Sequence, residues 1–381
     1  MVNKLRFSPQ LGHSLVKLIL SCASGLLLAF SYPPFGFPPL VWISLVPLFF
    51  AVNDAKPVRA LGLGFLTGLI YYFFAFRWVQ VFHVFGHTFV TFLSSICFLG
   101  IPVLLIRLFI GRKGLPFIAA SIWVVFEFIK QSWVLSFPFG ILGYTQYAWL
   151  HYIQIAELGG VLLVSWLIVF VNTVVFGFLD MVFQKSAWSQ KLRLLVLKGV
   201  LLTLAFGLPV LYSVIRISSL RYEEHPRLTV GFAQTLFHPR KVWMDNQDEY
   251  LGKITRFITD LGGLKADLVI FPELVIDRFL SFDSTIPLKD NVKILNELST
   301  AAKSAQTNVL IGSLELKINS ENRSQYNAIF LFNREGNLSG IYRKRLRVPF
   351  GEFDPFGGLI PGIQDYIIST TDAVALDEGP N

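Results

Sequence analysis

Two short stretches hold side chains able to do acid–base and electrostatic chemistry. The first is Phe271-Pro272-Glu273, which closes the apolar run from Asp267. A carboxylate just past a buried strand sits where α/β sheets place their chemistry. The proline stops further pairing, so Glu273 turns away from the ladder. Partial desolvation would raise its pKa and suit it to general-base work. The plain alternative is a strand-terminal glutamate in solvent. The second stretch is Tyr342-Arg-Lys-Arg-Leu-Arg-Val-Pro-Phe-Gly-Glu352. One reading is a solvated basic run against lipid head groups, each cation worth about 1 kcal/mol near an anionic surface. Yet apolar Val348-Pro349-Phe350-Gly351 and the acid Glu352 follow it. Lys344, crowded by Arg343 and Arg345, would be disfavoured in its charged form unless a carboxylate compensates. A lysine held by two glutamates could donate hydrogen bonds to a developing oxyanion.

The elements around these stretches read as an α/β domain. Strand-length apolar runs occur at 228–234, 267–273, 308–313, 326–332 and 338–342. Between them, Tyr250, Ile254, Phe257, Ile258 and Leu261 recur with helical period, as do Val292, Leu295, Leu298, Ala302 and Ala305. Strands alternating with helices argue for an α/β architecture.

Everything before residue 217 has a different composition. Of the 381 residues only 15% are charged and 53% are hydrophobic, whereas a soluble domain is about a quarter charged. The 37 Phe, 12 Tyr and 8 Trp exclude a disordered chain, and two cysteines exclude a disulfide scaffold. About seven apolar segments approach the roughly 20 residues that a helix needs to cross a bilayer: 12–32, 38–53, 58–76, 89–110, 116–135, 157–180 and 194–215. The second is short and flanked by proline. The first has a basic start like a signal peptide, but more spans follow at once, so it reads as a retained helix. Lys4, Arg6, Lys56, Arg59, Arg107, Arg112, Lys113, Lys185, Lys191, Arg193 and Lys198 fall in alternate joints, and the other joints are nearly bare. Cytoplasmic loops carry the Lys/Arg excess, so the N-terminus is expected inside and residues 217–381 outside. The net charge of +8 is then a topology signal, and no nucleic-acid partner is expected.

Several residues within the spans stand out. Trp123, Glu127, Lys130 and Gln131 share one helical face. Ionisable groups inside a span are costly and tend to be functional; the alternative is that Glu127 and Lys130 pair near the outer boundary and end the helix. Gly64 and Gly68 form a small-xxx-small pair for close helix packing. Cys22 and Cys97 read as small buried hydrophobes. The six histidines form no ligand cluster, and His83 and His87 read as membrane-boundary residues, so neither metal nor cofactor is expected.

Taken together, these motifs resemble the apolipoprotein N-acyltransferase family. The likeness runs through Ser31-Tyr-Pro-Pro-Phe-Gly36, Glu127 to Gln131, Phe137-Pro138, Gly143-Tyr-Thr-Gln146, Gln234, Trp243, Pro272-Glu273, Tyr326-Asn-Ala328, and Tyr342-x-Lys344 with Val348-Pro-Phe-Gly-Glu352. Leu346-Arg347 departs from the more usual His-Leu pairing. The resemblance implies a multi-span α-helical membrane domain (1–216) followed by an incomplete nitrilase-like α-β-β-α sandwich (217–381), in the bacterial cytoplasmic (inner) membrane. It implies Glu273 as general base, Lys344 as oxyanion stabiliser and Glu352 as support for the lysine. Trp243 and Glu127 would bind substrate. An acyl chain would pass from a phospholipid to a cysteine thiol, then to the amine of a diacylglyceryl-cysteine on an apolipoprotein. The family's nucleophilic cysteine lies beyond the lysine, and no cysteine follows Lys344 here, although Pro361-Gly362 resembles the stretch leading toward it. The expectation is therefore a truncated or split enzyme whose thiol lies on a missing or separately encoded C-terminal segment. The alternatives are a non-catalytic membrane protein that keeps lipid or lipoprotein binding, and a membrane-tethered amidase, which would need the same thiol.

Overall fold

The computed structural model describes residues 9–81, 84–132, 136–183, 188–220, 227–235, 246–282, 288, 290–318, 323–349, 351–353 and 376–379. The chain divides into two compact units, Met1–Arg221 and Tyr222–Asn381.

The first unit is helical: α1 (Pro9–Ser31), α2 (Val46–Val52), α3 (Pro57–Ala75), α4 (Val84–Arg107), α5 (Leu115–Ser132), α6 (Ala156–Phe183) and α7 (Trp188–Ser219). Among the described residues 6 helices, all of these except α2, are long and apolar enough to cross a membrane. The second expected span is the exception. Residues 38–52 form a 3-10 turn at Pro38–Trp42 and the 7-residue α2, with an irregular join between them. Pro38, Pro39 and Pro47 lack the N–H groups that a continuous helix would use.

Irregular backbone at membrane depth survives only when protein groups satisfy it. Asn172, fully buried on α6, supplies them here. The Leu45 N–H donates to its Oδ1 at 2.8 Å, and its Nδ2 donates to the Val41 carbonyl at 2.8 Å. The segment then returns along α1. Both His13 and Lys17, near the start of α1, bond the carboxylate of Asp54 just past α2, the histidine at 2.9 Å. The chain thus runs out along α1 and is back at its starting end by residue 54.

The glycine pair does bring helices together. A Cβ on Gly68 would lie 2.8 Å from Ser95 Cα, and one on Gly64 would lie 2.9 Å from Val103 Cβ. His83 lies outside the described residues. His87 is buried rather than a boundary residue, with its ring nitrogens bonded to the Phe73 carbonyl and the Gln80 amide.

The second unit is built on a mixed sheet of β1 (Val230–Phe232), β2 (Leu268–Ile270), β3 (Ile276–Leu280), β4 (Asn308–Ile318), β5 (Arg323–Phe332) and β6 (Leu338–Arg343). The order is β1-β2-β4-β5-β6; β1, β2 and β4 run parallel, and β5 and β6 return antiparallel. Two amphipathic helices, α8 (Gln247–Gly263) and α9 (Asn291–Ala305), pack their apolar stripes into one core with the sheet through Tyr250, Ile254, Ile258, Ile294 and Leu298. The Asn246 side chain caps α8 by accepting from the Glu249 N–H. Strand β3 was not legible as a strand, because Asp277 and Arg278 interrupt its apolar pattern. It lies beside the second half of β4, while β2 lies beside the first half. The two are halves of one line, broken at Pro272–Val275.

Replacing Asn172 with Leu would leave the Leu45 N–H unpaired in an apolar bundle, while the Val41 carbonyl keeps the Ser44 hydroxyl at 2.9 Å. The expected loss is about 1–3 kcal/mol for the stranded N–H. A fall in thermal midpoint of the detergent-solubilised chain, larger than for Thr173→Val next to it, is the check.

Candidate functional site

The break between β2 and β3 is where Glu273 sits. Phe271 keeps its pairing, its N–H donating to the Leu310 carbonyl at 2.9 Å, and the chain then leaves the sheet at Pro272. Leu274 takes φ 52°, a left-handed conformation that is costly for a branched side chain. The neighbouring strand accommodates this turn at Gly312. A Cβ there would lie 2.8 Å from the Leu274 nitrogen and 2.9 Å from the Pro272 oxygen. Gly312 is thus the position that lets the glutamate's turn lie against β4.

On the far side of β4 the same level of the sheet carries Asn327, which pairs with Leu314, and then Lys344, whose N–H donates to the Asn327 carbonyl at 2.8 Å. Glu352 is folded back to this level by a tight turn. Its N–H donates to the Val348 carbonyl, and the Val348 N–H donates to its Oε2, both at 2.8 Å. The main chain is tied further where the Leu376 N–H donates to the Glu352 carbonyl at 2.8 Å.

The four side chains meet at one point. Lys344 Nζ donates to Glu273 Oε1 at 2.9 Å and to Glu352 Oε1 at 3.0 Å. Asn327 Nδ2 donates to the same two oxygens at 2.6 and 2.9 Å. Glu352 and Asn327 are buried, whereas the Glu273 side chain is 60% exposed. Beside the cluster, Arg343 makes a two-pronged pair with buried Glu315 at 2.6 Å for each bond, across β5 and against the Tyr326 ring. That pair fixes β6 just before Lys344.

The electrostatics correct one expectation. Burial alone pushes the Glu273 carboxyl up, but the Lys344 ammonium and the Asn327 amide outweigh it and hold the group below its usual range. Burial likewise disfavours the Lys344 ammonium, yet hydrogen bonds and charge from Glu273 and Glu352 leave it above its ordinary value. Two carboxylates compensate for the crowding by neighbouring arginines. At neutral pH Lys344 and Glu273 are thus both ionised.

Among the other expected site residues, Trp243 lies outside the described residues, as do Phe350, Pro361 and Gly362. Glu127 is buried in the first unit, where its Oε1 accepts from Trp123 Nε1 at 3.0 Å and from the Leu142 N–H at 2.9 Å. Cys22 and Cys97 are half-buried free thiols on α1 and α4. Sequence reasoning quoted Asn327 without assigning it a role, and missed Gly312. Neither has a local signal, since each acts through a neighbour brought in by strand pairing.

Comparison with known proteins gives the same division. Residues 24–174 match the family model "Apolipoprotein N-acyltransferase N-terminal domain" and residues 230–359 match "Carbon-nitrogen hydrolase". The chain is similar to proteins named apolipoprotein N-acyltransferase from Geobacter metallireducens (27% identical, over 95% of this chain and 70% of the relative) and Haemophilus influenzae (26%, over 94% and 68%). It is also similar to apolipoprotein N-acyltransferase 1 of Treponema denticola (24%, over 92% and 69%).

The cluster predicts a reversal with pH. Glu273 titrates below its ordinary range when folded, so the stability it contributes is present above that range and is lost as pH falls through the lowered value. Lys344 titrates above its ordinary value, so its contribution is lost only as pH rises through the raised value. Lys344→Met removes the cation and leaves two like charges facing one amide, a repulsion that protonation relieves. The thermal midpoint of wild type is expected to fall on acidification through the carboxylate range, and that of Lys344→Met to rise. Parallel curves would overturn the assignment.

Proposed function

Because the chain belongs to the apolipoprotein N-acyltransferase family, we propose that it moves an acyl chain from a phospholipid to the α-amine of a lipoprotein's N-terminal diacylglyceryl-cysteine. The observation that carries this reading is Lys344, clamped between Glu273 and Glu352 in the unit that matches carbon–nitrogen hydrolases. In the first half-reaction Glu273 takes the proton of a cysteine thiol. The thiolate attacks the phospholipid ester carbonyl, and Lys344 donates to the oxygen that becomes negative. Collapse forms a thioester, and the departing lysophospholipid oxygen takes the proton back from Glu273. In the second half-reaction the lipoprotein's amine attacks the thioester, Glu273 accepts the amine proton, and it passes that proton to the departing sulfur, which regenerates the thiol and the carboxylate.

The lowered pKa of Glu273 gives this sequence an order. The carboxylate is ionised and ready at neutral pH, but it is a weak base while Lys344 bonds it. When the lysine turns to a developing oxyanion, Glu273 loses that stabilisation and becomes more basic as the proton arrives. Glu352, more buried and bonded by Val348, keeps the lysine in place. Glu127 serves this reading as a buried support and not as a lipid contact. The thiol is not assigned to Cys22 or Cys97, which both lie in apolar helices.

We further propose that the N-terminus faces the cytoplasm and the second unit lies outside the cytoplasmic membrane. Two observations support this: the Lys/Arg segregation among the joints, and the return of residues 38–52 to the starting end of α1. Counted as a pass, that return makes seven with the 6 long helices among the described residues.

The test is complementation of a strain depleted of its own N-acyltransferase, scored by the mass of a reporter lipoprotein's N-terminal peptide. Residues 1–381 alone are expected to leave the reporter diacylated. The same residues fused to the cysteine-bearing C-terminal segment of a relative are expected to add one acyl chain. In that fusion, Glu273→Gln or Lys344→Ala should lower the rate by at least about 10²-fold. A triacylated reporter from residues 1–381 alone would overturn the missing-thiol reading, and unchanged rates would overturn the two roles.

A further inference from the structure

The Glu127–Lys130 face of α5 exchanges no proton in the chemistry above, yet ionisable groups inside a span are costly. Both side chains are buried, at 5% and 2% exposed, within a helix apolar enough to span a membrane. They do not form a direct ion pair. Lys130 Nζ has no hydrogen-bond acceptor among the described residues and lies 4.4 Å from the centre of the Tyr72 ring, with Phe76 at 5.2 Å and Phe98 at 5.4 Å. A cation against desolvated rings is favourable, and Glu127, one turn earlier on the same helix, is the buried acid placed to balance it.

What the glutamate holds is the irregular segment that follows α5. The Phe137 N–H donates to the Lys130 carbonyl at 3.0 Å, Gly140 to the Tyr32 hydroxyl at 3.1 Å, Leu142 to Glu127 at 2.9 Å and Gly143 to the Ser165 hydroxyl at 2.8 Å. Ile141 and Leu142 are fully buried as a result. Gly140, at φ 70°, lies so close that a Cβ would be 2.9 Å from the Tyr72 ring. Held this way, the segment turns Phe139, Tyr144, Tyr147 and Trp149 outward. Exposed Tyr and Trp at the end of a span fit the amphipathic boundary between lipid and water.

We propose that Glu127 and Lys130 are positioning residues: a charge-neutral pair that docks residues 137–146 on the helical bundle and so presents an aromatic face to the membrane interface. The proposal needs the first unit to lie in a bilayer, and it stands or falls apart from acyl transfer.

The test uses the full 381-residue chain in native membranes, with Cys22→Ser, Cys97→Ser and a single reporter thiol at Ile141→Cys. Maleimide labelling reads whether the segment is docked. The parent should label slowly. Glu127→Gln alone and Lys130→Met alone each strand one buried charge and should label about tenfold faster. Glu127→Gln with Lys130→Met should return to the parent rate, since the glutamine oxygen still accepts from Trp123 and Leu142 and no charge remains. Glu127→Leu with Lys130→Met should stay fast, because the acceptor is gone. A single variant that fails to accumulate while the Gln/Met pair accumulates gives the same answer by yield. Unchanged single variants, or two double variants that behave alike, overturn the proposal.

Discussion

A polar group taken out of water has to be met by another polar group of the protein, and in both units this constraint decides the architecture. In the helical unit two departures from helix among the described residues are matched by buried side chains. Asn172 closes the gap at residues 41–45, and Glu127, Ser165 and Tyr32 tie down the segment after α5. In the second unit the same rule makes the candidate site. A lysine brought among strands is stable there because two carboxylates and an amide meet it.

The symmetry of that cluster is only apparent. Each glutamate offers its Oε1 to the same lysine and the same amide, but their surroundings differ. Glu352 is fixed by the Val348 N–H at its other oxygen and by main-chain bonds at both of its backbone ends. Glu273 stands on a strained turn with an exposed side chain. A group that must exchange protons with a substrate has to be reachable, and a group that must hold a lysine has to be rigid. The two environments therefore divide the roles in the way that the chemistry proposed for the site requires.

The sequence made the acid–base residues visible because Glu273, Lys344 and Glu352 sit in short motifs with proline and glycine beside them. The two amphipathic helices were legible from their 3.6-residue period, and most strands from apolar runs bounded by turns. What escaped was set by contacts distant in sequence. Gly312 matters only because residues 272–274 cross it, and Asn327 only because strand pairing puts it between two glutamates. Strand β3 carries Asp277 and Arg278 and does not alternate cleanly, so pairing with β4 decided its state. The raised pKa expected for Glu273 had the desolvation right and the neighbours missing. Burial does push the group up, but the lysine, 71 positions away, pushes it down further.

The second apolar segment, expected as a short span, takes its broken form from contacts of the same kind. Length and hydropathy measure how well a stretch crosses a membrane as an isolated helix. Residues 38–52 are not isolated, because Asn172 accepts and donates where the helix is broken, and Trp42 and Gln146 bond to each other beside it. A short, irregular return is affordable inside a bundle that supplies those partners. The bond from His13 to Asp54 marks where the return ends, on the same level as the start of α1. An orientation inferred from counting long helices alone would lose one pass and place the two ends of the first unit on one face. Under the orientation proposed above, counting where the chain comes back to a fixed partner supplies the odd number that the joints carrying lysine and arginine call for.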